Sequence, residues 1–431
     1  MSSANAPRDP AQKKGPFAFW TERPLYVRIV VGLVVGVGLG LVLGPDAKTL
    51  DVPARLVLRL LGALAPALIL VAVIQALLKA DIRGGMAVRL VGLLALNTLV
   101  AIGIGLAVAN VIRPGEGASL ARPDRAPAVR GDVLTQILDN VPDSLVKPFV
   151  DNKVIGVVML AIVFGIAMRR QEGHLRRTAE DLTALAFDCL IVVLHWVIAL
   201  VPFAVMGKVA SILGTSGFAP FVALGKFVLA VLVALALQAT WYLVRIRIGS
   251  WVRPLHLLRG TRDALVMAFS TASSTATMPV TFETLKDNVG LRERSASMGA
   301  LVGANFNNDG TALYEAMSAL FIAQLIGVEL SLWQQVLVII TSVVASVGAA
   351  GIPEAGLVTM TLVFTAVGLP TEYIALLLTV DWFLDRCRTA INVMGDMNVS
   401  CLLDGKTKQE PEAPPPEQPA VPAPTSSPEG S

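Results

Sequence analysis

The stretch DWFLDRCRTAINVMGD, residues 381–396, places Asp381, Asp385, Arg386, Arg388, Asn392 and Asp396 directly after the apolar run YIALLLTV. At 100° per residue, Asp381, Asp385, Arg388, Asn392 and Asp396 fall in a stripe about 80° wide on one helix face. Thr389 borders that stripe, and Arg386 points well away. A transmembrane charge costs at least ~2.5–3.5 kcal/mol at the helix centre, so the stripe needs a reason. One reason is a structural ion pair, because Asp385 and Arg388 are i, i+3 neighbours. That pair leaves Asn392 and Asp396 unexplained. The other reason is a wet site in which Arg388 takes a solute carboxylate by a forked bond and Asp385 takes an ammonium. Those two groups together describe an acidic amino acid.

Three further stretches are apolar overall but interrupted by small and polar residues. NFNNDG (305–310) brings Asn307 and Asp309 into a segment flanked by Gly303 and Gly310. A broken helix there exposes carbonyls, and carbonyls with carboxylates suit a small hard cation. Asp309 and Asp396 supply the negative charge; the plainer reading is a glycine kink capped by Asn and Asp. STASSTATMP (270–279) is either Ser/Thr packing between membrane helices or a helix start that offers hydroxyls and amides to a carboxylate. GAAGIPEAG (348–356) is either a flexible turn or a lid, with Gly348, Gly351 and Gly356 as its joints. Asp309 and Asp396 on separate helices also resemble the dyad of an aspartyl hydrolase. Their surroundings, cation-ligand types beside Arg388, argue against it.

The elements that must position these residues are membrane helices. With 54% hydrophobic and 16% charged residues the chain is too apolar for an ordinary soluble protein. Hydropathy marks spans near 25–44, 55–80, 90–112, 153–169, 183–209 and 220–244, each of membrane-crossing length. The polar lead before the first span has no small-residue cleavage site and is not read as a signal peptide. Basic residues cluster in alternate loops: Lys13, Lys14, Arg23 and Arg28, then Lys79, Arg83 and Arg89, then Arg169 to Arg177, then Arg245 to Arg262. The loop 207–219 carries only Lys208, and 113–153 balances acids against bases. The positive-inside rule puts both termini in the cytoplasm, and the modest net charge carries no message about nucleic acid. Cys189, Cys387 and Cys401 are too few and scattered for a disulfide framework or a metal centre. Residues 405–431 are Pro-rich and read as a disordered cytoplasmic tail.

After residue 262, two segments, 255–290 and 331–368, each read as apolar arm, small polar tip ending in Pro, apolar arm. Pro279 and Pro353 mark the tips. Such interrupted segments in two halves point to a carrier's binding site, and a bilayer permits them only in protein or against water. Basic flanks (Arg262; Lys286, Arg292, Arg294) make the first a cytoplasmic hairpin, so the second enters from outside.

SSTATMPVT, GANFNNDGTALYEA, GAAGIPEAGLVTM and DWFLDRCRTAINVMGD together resemble the hairpin tips, broken seventh helix and eighth helix of the dicarboxylate/amino acid:cation symporters. These include the bacterial glutamate and aspartate transporters and the animal excitatory amino-acid transporters. The resemblance runs from about residue 25 to 404. It implies an all-α polytopic fold of eight transmembrane helices plus two re-entrant helical hairpins, an elevator-type homotrimer in the cell membrane. Scaffold helices would occupy about 25–80 and 153–209, after the N-terminal segment 1–24; transport elements would occupy about 90–112 and 220–404.

By the same resemblance, Arg388 binds the side-chain carboxylate, Asp385 the amino group, and Asp381 orients Arg388. Thr311, Thr389 and Asn392 complete the contacts, while Ser273, Ser274, Gly351 and Ile352 hold the α-carboxylate. One sodium site uses Gly303, Asn307, Asn392 and Asp396. A second uses Asn307, Asp309 and third-helix hydroxyls, but here Leu94, Asn97 and Thr98 stand where the family has a Tyr and a hydroxyl pair. A third uses carbonyls around Ser346, Val347 and Ala349 with a Thr and a Met that this chain replaces by Asn305 and Asn308. Glu315 matches a proton-carrying glutamate. The implied function is secondary active symport of glutamate or aspartate with sodium or protons, and no enzyme or resident cofactor. A C4-dicarboxylate carrier, a neutral amino-acid carrier and an anion-conducting channel-like member are the alternatives; wet stripes also line pores.

Overall fold

The computed structural model describes residues 23–79, 85–117, 142–150, 154–348 and 355–408, and all regular structure among them is helical. α1 (Leu25–Leu43) turns through a 3-10 segment (Gly44–Asp51) into α2 (Val52–Lys79). α3 spans Gly85–Ile112 and α4 Val154–Arg169. The span expected at 183–209 is two helices, α5 (Gly173–Ile198) and α6 (Val201–Ser216). Pro202 sits at the start of α6, where its missing N–H costs nothing. α7 runs Ala219–Gly249. Among the described residues, four stretches, Val27–Gln75, Val88–Ile112, Gly173–Ile198 and Ala219–Gly249, are long and apolar enough to cross a membrane. Of the α5 window only 22% is buried, and exposed side chains such as Leu182, Leu185 and Trp196 line it. That surface suits lipid or another chain better than water. The whole is the make-up of a polytopic membrane protein.

The first interrupted segment is a hairpin of α8 (Pro254–Gly260), α9 (Arg262–Thr271) and α10 (Ser274–Glu283). Its turn is Ala272, left-handed at φ 52°, followed by extended Ser273. The turn falls within the expected small polar tip 270–279, at its start, while Pro279, taken to mark the tip, lies inside the returning helix. Ser273 decides the turn instead, its Oγ accepting from Ala276 N at 3.1 Å as an N-cap. The second hairpin pairs α12 (Leu332–Gly348) with α13 (Ala355–Ala366); its tip, with Pro353, lies outside the described residues. Between the hairpins, the helix ending at Phe306 stops at Asn307 and Asn308 (ψ 77° and 48°) and restarts as α11 (Asp309–Leu325). α14 (Ile374–Asp404) follows unbroken.

Contacts divide along the chain. α1, α2, α4, α5 and α6 pack mainly on one another, whereas α3, α7, α11 and the first hairpin pack on α14 or on its immediate neighbours; the second hairpin packs on α11, α2 and α3, with α13 reaching α14. At the Asp404 end, Arg292 Nε meets the Asp404 carboxylate at 2.9 Å, Trp251 Nε1 donates to it at 2.7 Å, and Arg89 Nη2 donates to Leu402 O at 2.8 Å. Trp251 and Arg292 bracket the first hairpin, so it enters and leaves at this end. The second hairpin starts at the opposite end, where Gln335 accepts from Asn110 Nδ2 at 3.0 Å. Lys208 does not belong to a loop as its sequence context suggested. It is buried in α6, 3.3 Å from Asp51 and over the Tyr373 ring, because a buried ammonium needs a counter-charge.

Candidate functional site

The hydrophobic pattern of α14 would leave its polar stripe facing lipid unless other elements covered it. They do: Asp381, Asp385, Arg388, Thr389, Asn392 and Asp396 are all buried. Arg386, off the stripe, reaches the first hairpin, where its guanidinium donates to the carbonyls of Phe269 and Ser270. These are the last carbonyls of α9, a favourable place for a cation.

Arg388 Nη2 donates to Asp385 Oδ1 at 2.7 Å and stands 3.0 Å from Asp381 Oδ1, the latter a charge contact without hydrogen-bond alignment. The guanidinium carbon lies 4.1 Å from the centre of the Tyr314 ring, a cation–π contact. Nε and Nη1 have no protein partner although the side chain is fully buried. An unmade buried hydrogen bond costs about 1–3 kcal/mol, more for a charged group. The free edge faces the second hairpin: a Cβ on Gly356 would stand 3.5 Å from Nη1 and Nη2 and 3.3 Å from Thr311 Cγ2. Arginine, fixed on one side by acids and open on the other, is built for a planar anion.

A second pole lies two turns further along. Asp396 Oδ1 and Asn307 Oδ1 are buried acceptors without a protein partner. A Cβ on Gly303 would lie 2.5 Å from Asp396 Oδ1, so only glycine lets the carboxylate approach the backbone there. Asn392 joins the two poles. Its Oδ1 accepts from Gly310 N at 2.8 Å, its carbonyl accepts from Asn307 Nδ2 at 3.0 Å, and its Nδ2 stands 3.4 Å from Thr311 Oγ1. A set of oxygen acceptors beside a carboxylate fits a hard monovalent cation.

The other expected cation ligands are differently engaged. Asp309 accepts from Thr98 Oγ1 at 2.7 Å and, through its other oxygen, from the Tyr242 hydroxyl. Asn97 Oδ1 accepts from Arg245. Leu94 packs with Leu90, Val399 and Leu403. The Ser346 carbonyl accepts from Asn308 Nδ2 at 2.8 Å. Ser274 Oγ donates to Ala304 O at 3.1 Å, tying the first hairpin's turn to the broken helix. Glu315 is buried; its Oε1 accepts from Thr359 on α13, and Oε2 has no protein partner. Gly351, Ile352 and Ala349 lie outside the described residues, as do the side chains of Asn305 and Val347.

Tyr242, Tyr314 and Thr359 were not among the residues singled out in the sequence, and Arg245 was read only as a loop charge, whereas it lies inside α7 and turns to Asn97. Tyr242 and Arg245 sit in QATWYLVRI (238–246), where polar residues interrupt an otherwise apolar span. That interruption was the available signal.

A model of the sodium:dicarboxylate symporter family matches residues 25–406. The chain belongs to this family. Among similar proteins, excitatory amino acid transporter 1 of Ambystoma tigrinum is 29% identical over 92% of this chain and 84% of its own length. Excitatory amino acid transporter 4 of Mus musculus is 38% identical over 59% of this chain and 46% of its own length. An excitatory amino acid transporter of Caenorhabditis elegans is 41% identical over 56% and 49% respectively. The match thus spans about half the length of the mouse and nematode relatives.

Proposed function

We propose that this protein is a secondary active symporter that takes up an acidic amino acid, aspartate or glutamate, together with sodium. The observation that carries the reading is the fully buried guanidinium of Arg388, held on one edge by Asp381 and Asp385 and unpartnered on the other. A side-chain carboxylate on Nε and Nη1 supplies the missing bonds. The amino group goes to Asp385, the α-carboxylate to the turn at Ser273 and Ser274 and to Gly351 and Ile352, with Thr311, Thr389 and Asn392 around them. Sodium goes to the acceptors of Gly303, Asn307, Asn392 and Asp396.

Occupying both poles neutralises each, so solute and ion favour one another's binding. The two hairpins close over the midplane from opposite ends. The separate packing of α1, α2, α4, α5 and α6 supports a scaffold against which the α14-centred half slides, in a homotrimer whose exposed helices face partners and lipid. Both termini lie in the cytoplasm and the chain is a multi-pass cell-membrane protein. Glu315 is the proton carrier, its buried Oε2 being the position for a proton.

A C4-dicarboxylate is the second reading, favoured by the bond that already engages Asp385 with Arg388. Uptake into proteoliposomes with sodium, proton and potassium gradients imposed singly tests the proposal. An inward sodium gradient alone is expected to drive saturable accumulation of labelled aspartate, with succinate a poor competitor. Current without saturable uptake or counterflow would indicate a channel and refute it.

A further inference from the structure

Two buried aspartates in this fold have opposite surroundings. Asp396 keeps one oxygen without a protein partner, beside a second such acceptor on Asn307. At Asp309 the arrangement is closed: one oxygen accepts from Thr98 on α3, the other from Tyr242 on α7. Both neighbours are hydroxyls that spend their hydrogens on Asp309 and keep their lone pairs, so by themselves they do not exclude a cation. The site is drawn tighter by a second layer. Arg245, one turn after Tyr242 on α7, donates to Asn97, the residue before Thr98. Gln238 Nε2 approaches Asn97 O and Asn398 Nδ2 donates to Tyr242 O, at 3.4 Å and 3.0 Å. Asn97 Nδ2 also stands 3.4 Å from Asn398 Oδ1. Arg245 itself lies beside the Trp241 ring, its guanidinium carbon 5.7 Å from the centre. Its geometric link to Asp309 runs through α3, where Asn97 takes the guanidinium and the next residue, Thr98, donates to the aspartate.

We infer that Arg245 is the resident cation for Asp309, so that this part of the molecule carries its own positive charge and takes no co-transported ion. With Arg245 in place the residues here do not fit a further cation: both Asp309 oxygens already accept a hydrogen bond, Leu94 offers no ligand, and Asn97 turns its own oxygen to Arg245. A guanidinium is always protonated and cannot diffuse away, so the charge it supplies is the same in every step of a transport cycle. Sodium coupling then falls on the Asp396 pole, apart from any proton carried by Glu315. This inference rests on sodium-coupled uptake as proposed above.

The test is the ratio of radioactive sodium to labelled aspartate entering proteoliposomes that contain the full-length chain. Wild type, R245K, R245Q and the charge-balanced double variant R245Q/D309N are compared. R245K is expected to keep the wild-type ratio. R245Q, which leaves Asp309 without its counter-charge, is expected to gain about one sodium per aspartate and a steeper sodium dependence. The double variant is expected to return to the wild-type ratio. An unchanged ratio in R245Q overturns the inference alone. If R245Q does not fold, the double variant decides: a ratio one sodium below wild type would mean that Asp309 had been binding a transported ion. Wild-type vesicles without any sodium-driven uptake would overturn both this inference and the function on which it rests.

Discussion

The row that joins α1 to α6 and the stripe on α14 solve the same problem, holding helices together in a bilayer, in opposite ways. Gly32, Gly36 and Gly40 recur every four residues, and each lies against the carbonyl of Pro202, Met206 or Ala210. A Cβ on Gly36 would stand 2.5 Å from Met206 O, and one on Gly40 2.9 Å from Ala210 O. Small residues at this spacing let backbones touch, and the glycines bring no polar side chain into the seam. The α14 stripe is polar and incomplete: Arg388, Asp396 and Asn307 each keep a buried atom without a protein partner. The difference teaches where cost is tolerated. A fixed joint satisfies itself, whereas a site that must bind and release leaves its last bonds to the solute.

The contrast breaks if damage to one region mimics damage to the other. Arg388→Thr is expected to have the largest effect. Removing one partner of a buried charge pair costs about 2–5 kcal/mol, roughly 30- to 5,000-fold in affinity. Competition binding should show aspartate lost and neutral amino acids admitted; aspartate affinity within about threefold of wild type would remove Arg388 from its role. Gly303→Ala comes next, since its methyl would meet Asp396 Oδ1. Half-saturating sodium for uptake should rise about tenfold or more, a change equivalent to at least ~1.4 kcal/mol, while the protein stays folded in detergent. Gly36→Leu should do the reverse. Overpacking costs about 1–3 kcal/mol, so thermal unfolding shifts downward while the protein that remains folded binds aspartate with wild-type affinity. Glu315→Gln should be mildest, flattening the pH dependence of uptake with aspartate affinity retained. A pH profile parallel to wild type would assign Glu315 a purely structural bond to Thr359.

Much of this contrast was legible in the sequence, because periodicity and charge are local. The 4, 3, 4, 4 spacing of Asp381, Asp385, Arg388, Asn392 and Asp396 places them on one helix face, and the helix is continuous, so all five are buried together. The break at NFNN was readable from the glycines and amides around it. What was not legible is which distant groups complete each site. Nothing near Asp309 in the chain says that Tyr242, 67 residues earlier, takes one of its oxygens. Lys208 looked like a loop charge because its partner Asp51 lies on another element. Pro279 was taken to mark the hairpin's tip because proline usually punctuates. Here Ser273 caps and Ala272 turns, and the proline is absorbed in the returning helix.

The central claim is that the free edge of Arg388 takes a side-chain carboxylate once sodium fills the Asp396 pole. Titrating the purified protein with aspartate and with asparagine, in sodium and in choline, tests it most directly, because the two solutes differ only in that one charged group. Saturable aspartate binding in sodium is predicted, at least about 100-fold tighter than asparagine and absent in choline. Equal affinities for the two, or aspartate binding indifferent to sodium, would contradict it.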